Sequence, residues 1–214
     1  MSRNKKLGFL GLTAVILAYS LVYSALGGSA QAIAASQRAN SIQVTYQEQK
    51  DPYFCGQASA QMAIQMIQGR YVSQFRLQHE MSFIPGAGTR NNHMIKPFQN
   101  RDIDIIRIGI LSNLEHLRES IDHGHYSIIN IRFDESKNSG HYVLVTGYNE
   151  TGFFVHDPWP EGWGEPVGRE TGENAFINGE LLSELWAFRL FWVLTVAGPS
   201  QAGAAQVQEG LDWS

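Results

Sequence analysis

Between Ile42 and Gly198 the alternation of apolar and polar positions changes period several times, and each change marks an element. Ile42, Val44 and Tyr46 alternate with polar residues, the pattern of a short strand. From Cys55 the period lengthens: Ala58, Met62, Ala63, Met66 and Ile67 share one helix face, and Gly69 stops the pattern. Cys55 therefore falls near a helix N-terminus. Residues 70–110 carry loop signals at "PGAGTRNNH", with a short helix or strand on either side. "ILSNLEHLRESIDHG" predicts a helix with Asn113 as cap, Leu114, Leu117 and Ile121 on one face, and Gly124 at its end. "YSIINIRF", "HYVLVTGY" and "GFFVHD" predict three strands, the last two joined by the turn "NETG". A Gly-, Pro- and Glu-rich loop, "PWPEGWGEPVGRETGEN", precedes the helix "GELLSELWAF" and a last strand, "LFWVLTVAG". A helix first, then a mostly antiparallel sheet and a late helix make the fold class α+β.

The ends do not share these periods. Arg3, Lys5 and Lys6 precede the uncharged run "LGFLGLTAVILAYSLVYSAL", and Ala30-Gln31-Ala32 has the small-x-small form of a cleavage site. Residues 1–36 thus read as a secretory signal peptide with linker. An uncleaved anchor is the alternative, because the run approaches the ~20 residues that span a bilayer. Either way the body is expected to be exported, to periplasm or medium, with a membrane tether in the second case. Residues 37–198 form the expected globular domain, and 199–214 ("PSQAGAAQVQEGLDWS" from Pro199) a disordered tail.

Composition adds little until charge and cysteine are considered. With 43% hydrophobic and 17% charged residues, the 214-residue chain suits one ordinary domain. Removing residues 1–32, which hold three basic and no acidic side chains, takes the net charge from −4 (16 minus 20) to −7 (13 minus 20). A mildly acidic body argues against nucleic acid as a partner. Cys55 is the only cysteine. Oxidising compartments favour paired cysteines, so a lone thiol in an exported chain points to chemistry, against the plainer reading of a small buried hydrophobe.

A thiol becomes a good nucleophile when ionised, which a helix N-terminus favours and a histidine base completes. Among seven histidines, His141 is selected by spacing: it opens one strand, and Asp157, 16 residues on, closes the next across a tight turn. An even register puts both side chains on one sheet face, opposite or one diagonal step apart, with Val143, Val145, Phe153 and Val155 on that face. An odd register would part them. Acyl transfer also needs oxyanion donors; the Cys55 amide is one, and an upstream side-chain amide, Gln43, Gln47 or Gln49, the other. No metal or other cofactor is expected, since His123 and His125 at a helix end have no further ligand set beside them. Trp159 and Trp163, directly after Asp157, are expected to shape a substrate groove or lid; the alternative is a long connection held by aromatic packing.

"QKDPYFCGQAS" resembles the Gln, five residues, Cys-Gly pattern that opens the catalytic helix of papain-like cysteine peptidases, particularly the bacteriocin-processing (double-glycine leader) peptidases and their stand-alone relatives. "GHYVLVTGYN" and "GFFVHDPW" are similar to the second half of that pattern, while "GAGT" and "IDHGHYSIINI" resemble the family less specifically. The resemblance spans roughly residues 40–195. It implies a papain-like fold, with the catalytic helix on the sheet, and a peptide or protein substrate. It implies Cys55 as nucleophile, His141 as general base and acid, Asp157 as orienter and Gln49 as oxyanion donor. The family's export versions are fused to a transporter; none is expected here, and cleavage of double-glycine leaders is not carried over. Gln57 stands where many relatives have Pro or Ala. "QKDPYFCGQAS" also resembles phytochelatin synthase, which implies an acyl transferase as the alternative to a hydrolase; a non-catalytic peptide-binding module of the same fold is the third.

Overall fold

The computed structural model describes residues 40–134, 137–159 and 172–199. The leader 1–36, Trp163 with most of the acidic loop, and the tail beyond Pro199 lie outside these residues. Among the described residues no helix is long and apolar enough to cross a membrane.

The strands β2 (Ile105–Gly109), β3 (Tyr126–Asp134), β4 (Lys137–Tyr148), β5 (Gly152–His156), β6 (Ala175–Asn178) and β7 (Val193–Val196) form one sheet in the order β2-β7-β3-β4-β5-β6. Every pairing is antiparallel, and the two-residue β1 (Asn40–Ser41) joins the turn end of β4 at Tyr148 and Gly147. Helices cover both faces. On one, α1 (Cys55–Gln68), α2 (Gln74–Glu80) and α3 (Lys96–Gln99) bury Met62, Ile64, Leu77 and Phe98 against Ile128, Tyr142, Leu144 and Leu194. On the other, α4 (Leu114–Asp122) and α5 (Gly179–Ala187) bury Leu117, Ile121, Leu182 and Trp186 against Ile129, Val143, Val145, Phe153 and Val155. With both faces covered, successive strand residues are all apolar, as in "VLV", each side chain entering one layer or the other.

Local chemistry accounts for the helix ends. Gly69, at φ 63°, takes the left-handed turn that closes α1. The Asn113 side chain accepts from the amide of His116 at 2.8 Å and starts α4.

Two stretches differ from the sequence expectation. Residues 42–49 run beside the sheet but are not a strand, because side chains take their ladder bonds: Ile42 still donates to the Thr146 carbonyl at 2.9 Å, whereas the Val44 carbonyl accepts from Nε2 of His156 at 3.1 Å. Conversely, "AFIN", between the expected loop and the expected helix, is β6, four residues that satisfy the outer edge of β5.

The β4–β5 ladder changes register along its length. Near the turn, Tyr148 pairs with Phe153 and Gly147 with Phe154, an odd register; beyond a bulge at Thr146, Val145 pairs with Val155 and Leu144 with His156, an even one. Continued by one residue, the even register sets Asp157 across from Val143, a diagonal step from His141.

Candidate active site

α1 begins without an oxygen-bearing cap. Phe54 holds the N-cap position and offers no side-chain hydrogen bond, where Ser, Thr, Asp or Asn is usual. Its ring packs edge-on against Phe75 and Phe83, with centroids 5.5 and 5.2 Å away. The Cys55 amide and its neighbours are thus not engaged by a cap, and they favour negative charge on the half-buried Cys55 sulfur or on a group bound beside it.

Gly56 lets this helix end approach the sheet. A Cβ there would lie 2.9 Å from the sulfur of Met94 and 3.3 Å from the ring of Tyr142. Ser59, one turn on, donates to the Tyr142 carbonyl at 3.2 Å and ties α1 to β4. Gly56→Val is therefore expected to destabilise the protein by roughly 1–3 kcal/mol through overpacking, read as a lowered denaturation midpoint with unchanged slope.

Facing the helix end, Nε2 of His141 donates to Oδ1 of Asp157 at 2.6 Å, with the two side chains 2% and 0% exposed. The same Oδ1 accepts the amide of Trp159 at 2.9 Å. The Cys55 sulfur lies near enough to the imidazole to raise its proton affinity, and Nδ1 is the ring nitrogen not bonded to Asp157. Burial by itself would lower the imidazole pKa, but the Asp157 carboxylate, with help from the Cys55 sulfur, outweighs it and pushes His141 up to about 10. At neutral pH the histidine is the cation of a buried charge-assisted pair.

The surroundings keep that pair dry. The Phe133 ring lies 5.1 Å from the His141 ring, and Trp159 meets Phe133 edge-on at 5.7 Å. Trp159, expected to be a groove residue, thus lines the cleft as part of a roof over the histidine; Trp163 lies outside the described residues. The Tyr46 hydroxyl donates to the Asp157 carbonyl at 2.8 Å. Tyr142, next to His141, donates to Oδ1 of Asn91 at 2.6 Å and to the Thr89 carbonyl at 3.0 Å, and so holds the "GAGT" loop against the sheet. Burial, then the charge of the Cys55 sulfur, push the Tyr142 phenol well above its usual range, so it remains a donor. Between these walls lies a cleft of about 950 Å³, lined by Cys55, His141, residues 86–92, Asn130, Phe133 and Trp159.

Gln49 stands apart from that lining. Its Nε2 donates to the Asp51 carbonyl at 2.7 Å, inside the turn in which that carbonyl also accepts the Phe54 amide at 3.0 Å. A carboxamide nitrogen has two hydrogens, so one N–H remains beyond that bond. Sequence reasoning misses Phe133, whose role exists only because β3 ends beside His141. It quotes Tyr142 within "GHY" without assigning it a role. A Cβ on Gly140 would collide with Oδ1 of Asn130, which explains why a glycine precedes the histidine.

Comparison with known proteins places this geometry. The Peptidase C39 like family matches residues 41–178. No curated protein matches the chain. A C39-like peptidase from Bacillus anthracis superposes with a TM-score of 0.58 at 14% identity, covering 76% of this chain and 99% of that one. The peptidase domain of Streptococcus ComA, a bifunctional ABC transporter involved in quorum sensing, gives 0.56 at 16% identity over 73% and 99%. A double-glycine-motif protease from an AMS/PCAT transporter, in complex with its leader peptide, gives 0.51 at 16% over 74% and 95%.

Proposed function

Since the chain belongs to the Peptidase C39 like family and has its papain-like α+β fold, we propose that it is an exported cysteine peptidase that hydrolyses peptide bonds through a Cys55–His141–Asp157 triad. The observation that carries the reading is the buried His141–Asp157 pair, 2.6 Å apart, with the Cys55 sulfur on the same imidazole at a helix N-terminus. The thiolate attacks the substrate carbonyl carbon, and the oxyanion is held by the Cys55 amide and the free N–H of Gln49. The imidazolium gives its proton to the departing amine, leaving an acyl-enzyme; water, deprotonated by the now neutral imidazole, attacks the acyl carbon, releases the acid and restores the thiolate and imidazolium. The open cleft suits an extended peptide, and the related protease seen with a leader peptide supports that substrate class. The apolar leader supports export.

Because Cys55 is the only cysteine, alkylation reports on the site alone. The iodoacetamide rate of the purified protein at neutral pH is expected to exceed that of an unactivated thiol, and to fall at least several-fold in His141→Ala. A rate like that of an unactivated thiol, unchanged by that substitution, would sink the catalytic reading in favour of a binding module. Capture of the acyl group by an added thiol peptide faster than by water would move it to an acyl transferase.

A further inference from the structure

Gln74 is the first residue of α2, 1% exposed, and remote in sequence from every residue of the site. Its Oε1 accepts the amide of Lys50 at 2.8 Å, and its Nε2 donates to the Glu48 carbonyl at 2.8 Å and to Oε1 of Gln61 at 2.8 Å. One acceptor and two donors are thereby all used. Reversing the amide would set nitrogen against the Lys50 N–H, so the network also fixes its orientation.

The two backbone groups belong to the residues on either side of Gln49. One carboxamide thus does for residues 48–50 what a neighbouring strand would do, gripping the carbonyl before Gln49 and the amide after it. The Gln49 amide itself donates to the Pro158 carbonyl at 3.0 Å, one residue beyond Asp157. With both peptide groups that flank its Cα hydrogen-bonded, Gln49 has no freedom to swing, and its side chain is left to meet a substrate. Gln61, 1% exposed on α1, anchors the clamp to the helix that carries Cys55. The position of the amide donor is thereby referred to the nucleophile's own helix.

We propose that Gln74 is a positioning residue for oxyanion stabilisation, holding Gln49 at a fixed place relative to Cys55. The proposal rests on the assignment of Gln49 as an oxyanion donor. Removing such a donor costs ~10²–10³ in kcat, and misplacing it costs less. In the full-length protein Gln74→Met, which keeps the side-chain length and loses all three bonds, is expected to lower kcat by roughly 10-fold or more. KM and the pH profile of iodoacetamide alkylation, which needs no oxyanion site, should stay as in the wild type. The decisive measurement is the cycle with Gln49→Ala: adding Gln74→Met to Gln49→Ala should cause no further loss. Gln61→Met, which releases only the anchor, should give a smaller loss, equally silent in the Gln49→Ala background; it serves if Gln74→Met folds poorly. Losses that multiply in the double variant, an alkylation rate that falls with kcat, or an unchanged kcat in both Gln74→Met and Gln61→Met would each overturn the proposal while leaving Gln49 in its role. A wild-type kcat in Gln49→Ala would overturn the oxyanion assignment, and this inference with it.

Discussion

Cys55→Ala is expected to lower peptide hydrolysis by roughly 10⁴–10⁶-fold, the loss typical of removing the nucleophile of a triad, while the chain stays folded. The two halves of this expectation have separate causes. Among the described residues the Cys55 sulfur is the thiol that shares the cleft with the His141 imidazole, and the hydroxyls there are far weaker nucleophiles, so none is expected to substitute for it. Its packing contribution is small, because Cys55 is half-buried at the margin of the α1 core layer rather than within it. The thermal midpoint should move by the equivalent of ~1 kcal/mol or less. Hydrolysis of casein or a quenched fluorescent peptide library, beside a melting curve, checks both. A variant that unfolds would show that the thiol is a core residue, and retained hydrolysis would exclude it as nucleophile.

The second large effect belongs to Asp157→Asn. The shape is preserved, and the new Oδ1 can still accept from Nε2 of His141 and from the Trp159 amide, but the charge that outweighs burial is gone. Burial then dominates and drives the imidazole below its usual 6.5, so at neutral pH the histidine is uncharged and no longer a cation beside the sulfur. A kcat loss of about 10³–10⁴-fold is expected, as for loss of the orienting carboxylate in other triads, with slower alkylation of Cys55 at neutral pH. Stability should respond as well. In the wild type, His141 binds a proton more tightly when folded, near 10, than when unfolded, near 6.5. Its contribution is therefore fully present below pH 6.5 and is lost as pH rises toward about 10. In Asp157→Asn that decline should vanish, which denaturant titrations at pH 6, 8 and 10 would reveal as a smaller difference between the two proteins at high pH. An unchanged alkylation profile would mean that Asp157 does not set the histidine's charge.

What is legible in the sequence is whatever depends on near neighbours. The start and stop of α1, the Asn113 cap and the strands carrying His141 and Asp157 follow from period and spacing. So does the closeness of that pair, although the simple count succeeds only because the bulge at Thr146 corrects a register that begins odd at the turn. Nothing in "VLVTGYNETGFFV" announces that extra residue. The alternation at Ile42, Val44 and Tyr46 is real, since all three turn toward the core, yet a histidine side chain from β5 takes the bond a partner strand would have taken. β6 hides because four residues after a Gly- and Glu-rich run carry too little pattern. Gln74 and Phe133 are beyond reach for another reason: each acts on a segment distant in sequence, and which segment is decided only by how α2 and β3 pack.

The close approach at Gly56, with the bond from Ser59 to the Tyr142 carbonyl, is where the two halves of the candidate triad meet. Cys55 rides on α1, whereas His141 lies in β4 and Asp157 directly follows β5, so no continuous stretch of chain holds both sulfur and base. A copy that has not yet closed this seam carries an ordinary thiol and a histidine with nothing to activate. The proposed peptidase activity is in this sense a property of the finished molecule, and half-folded copies, the most easily cut, would be poor agents of their own destruction.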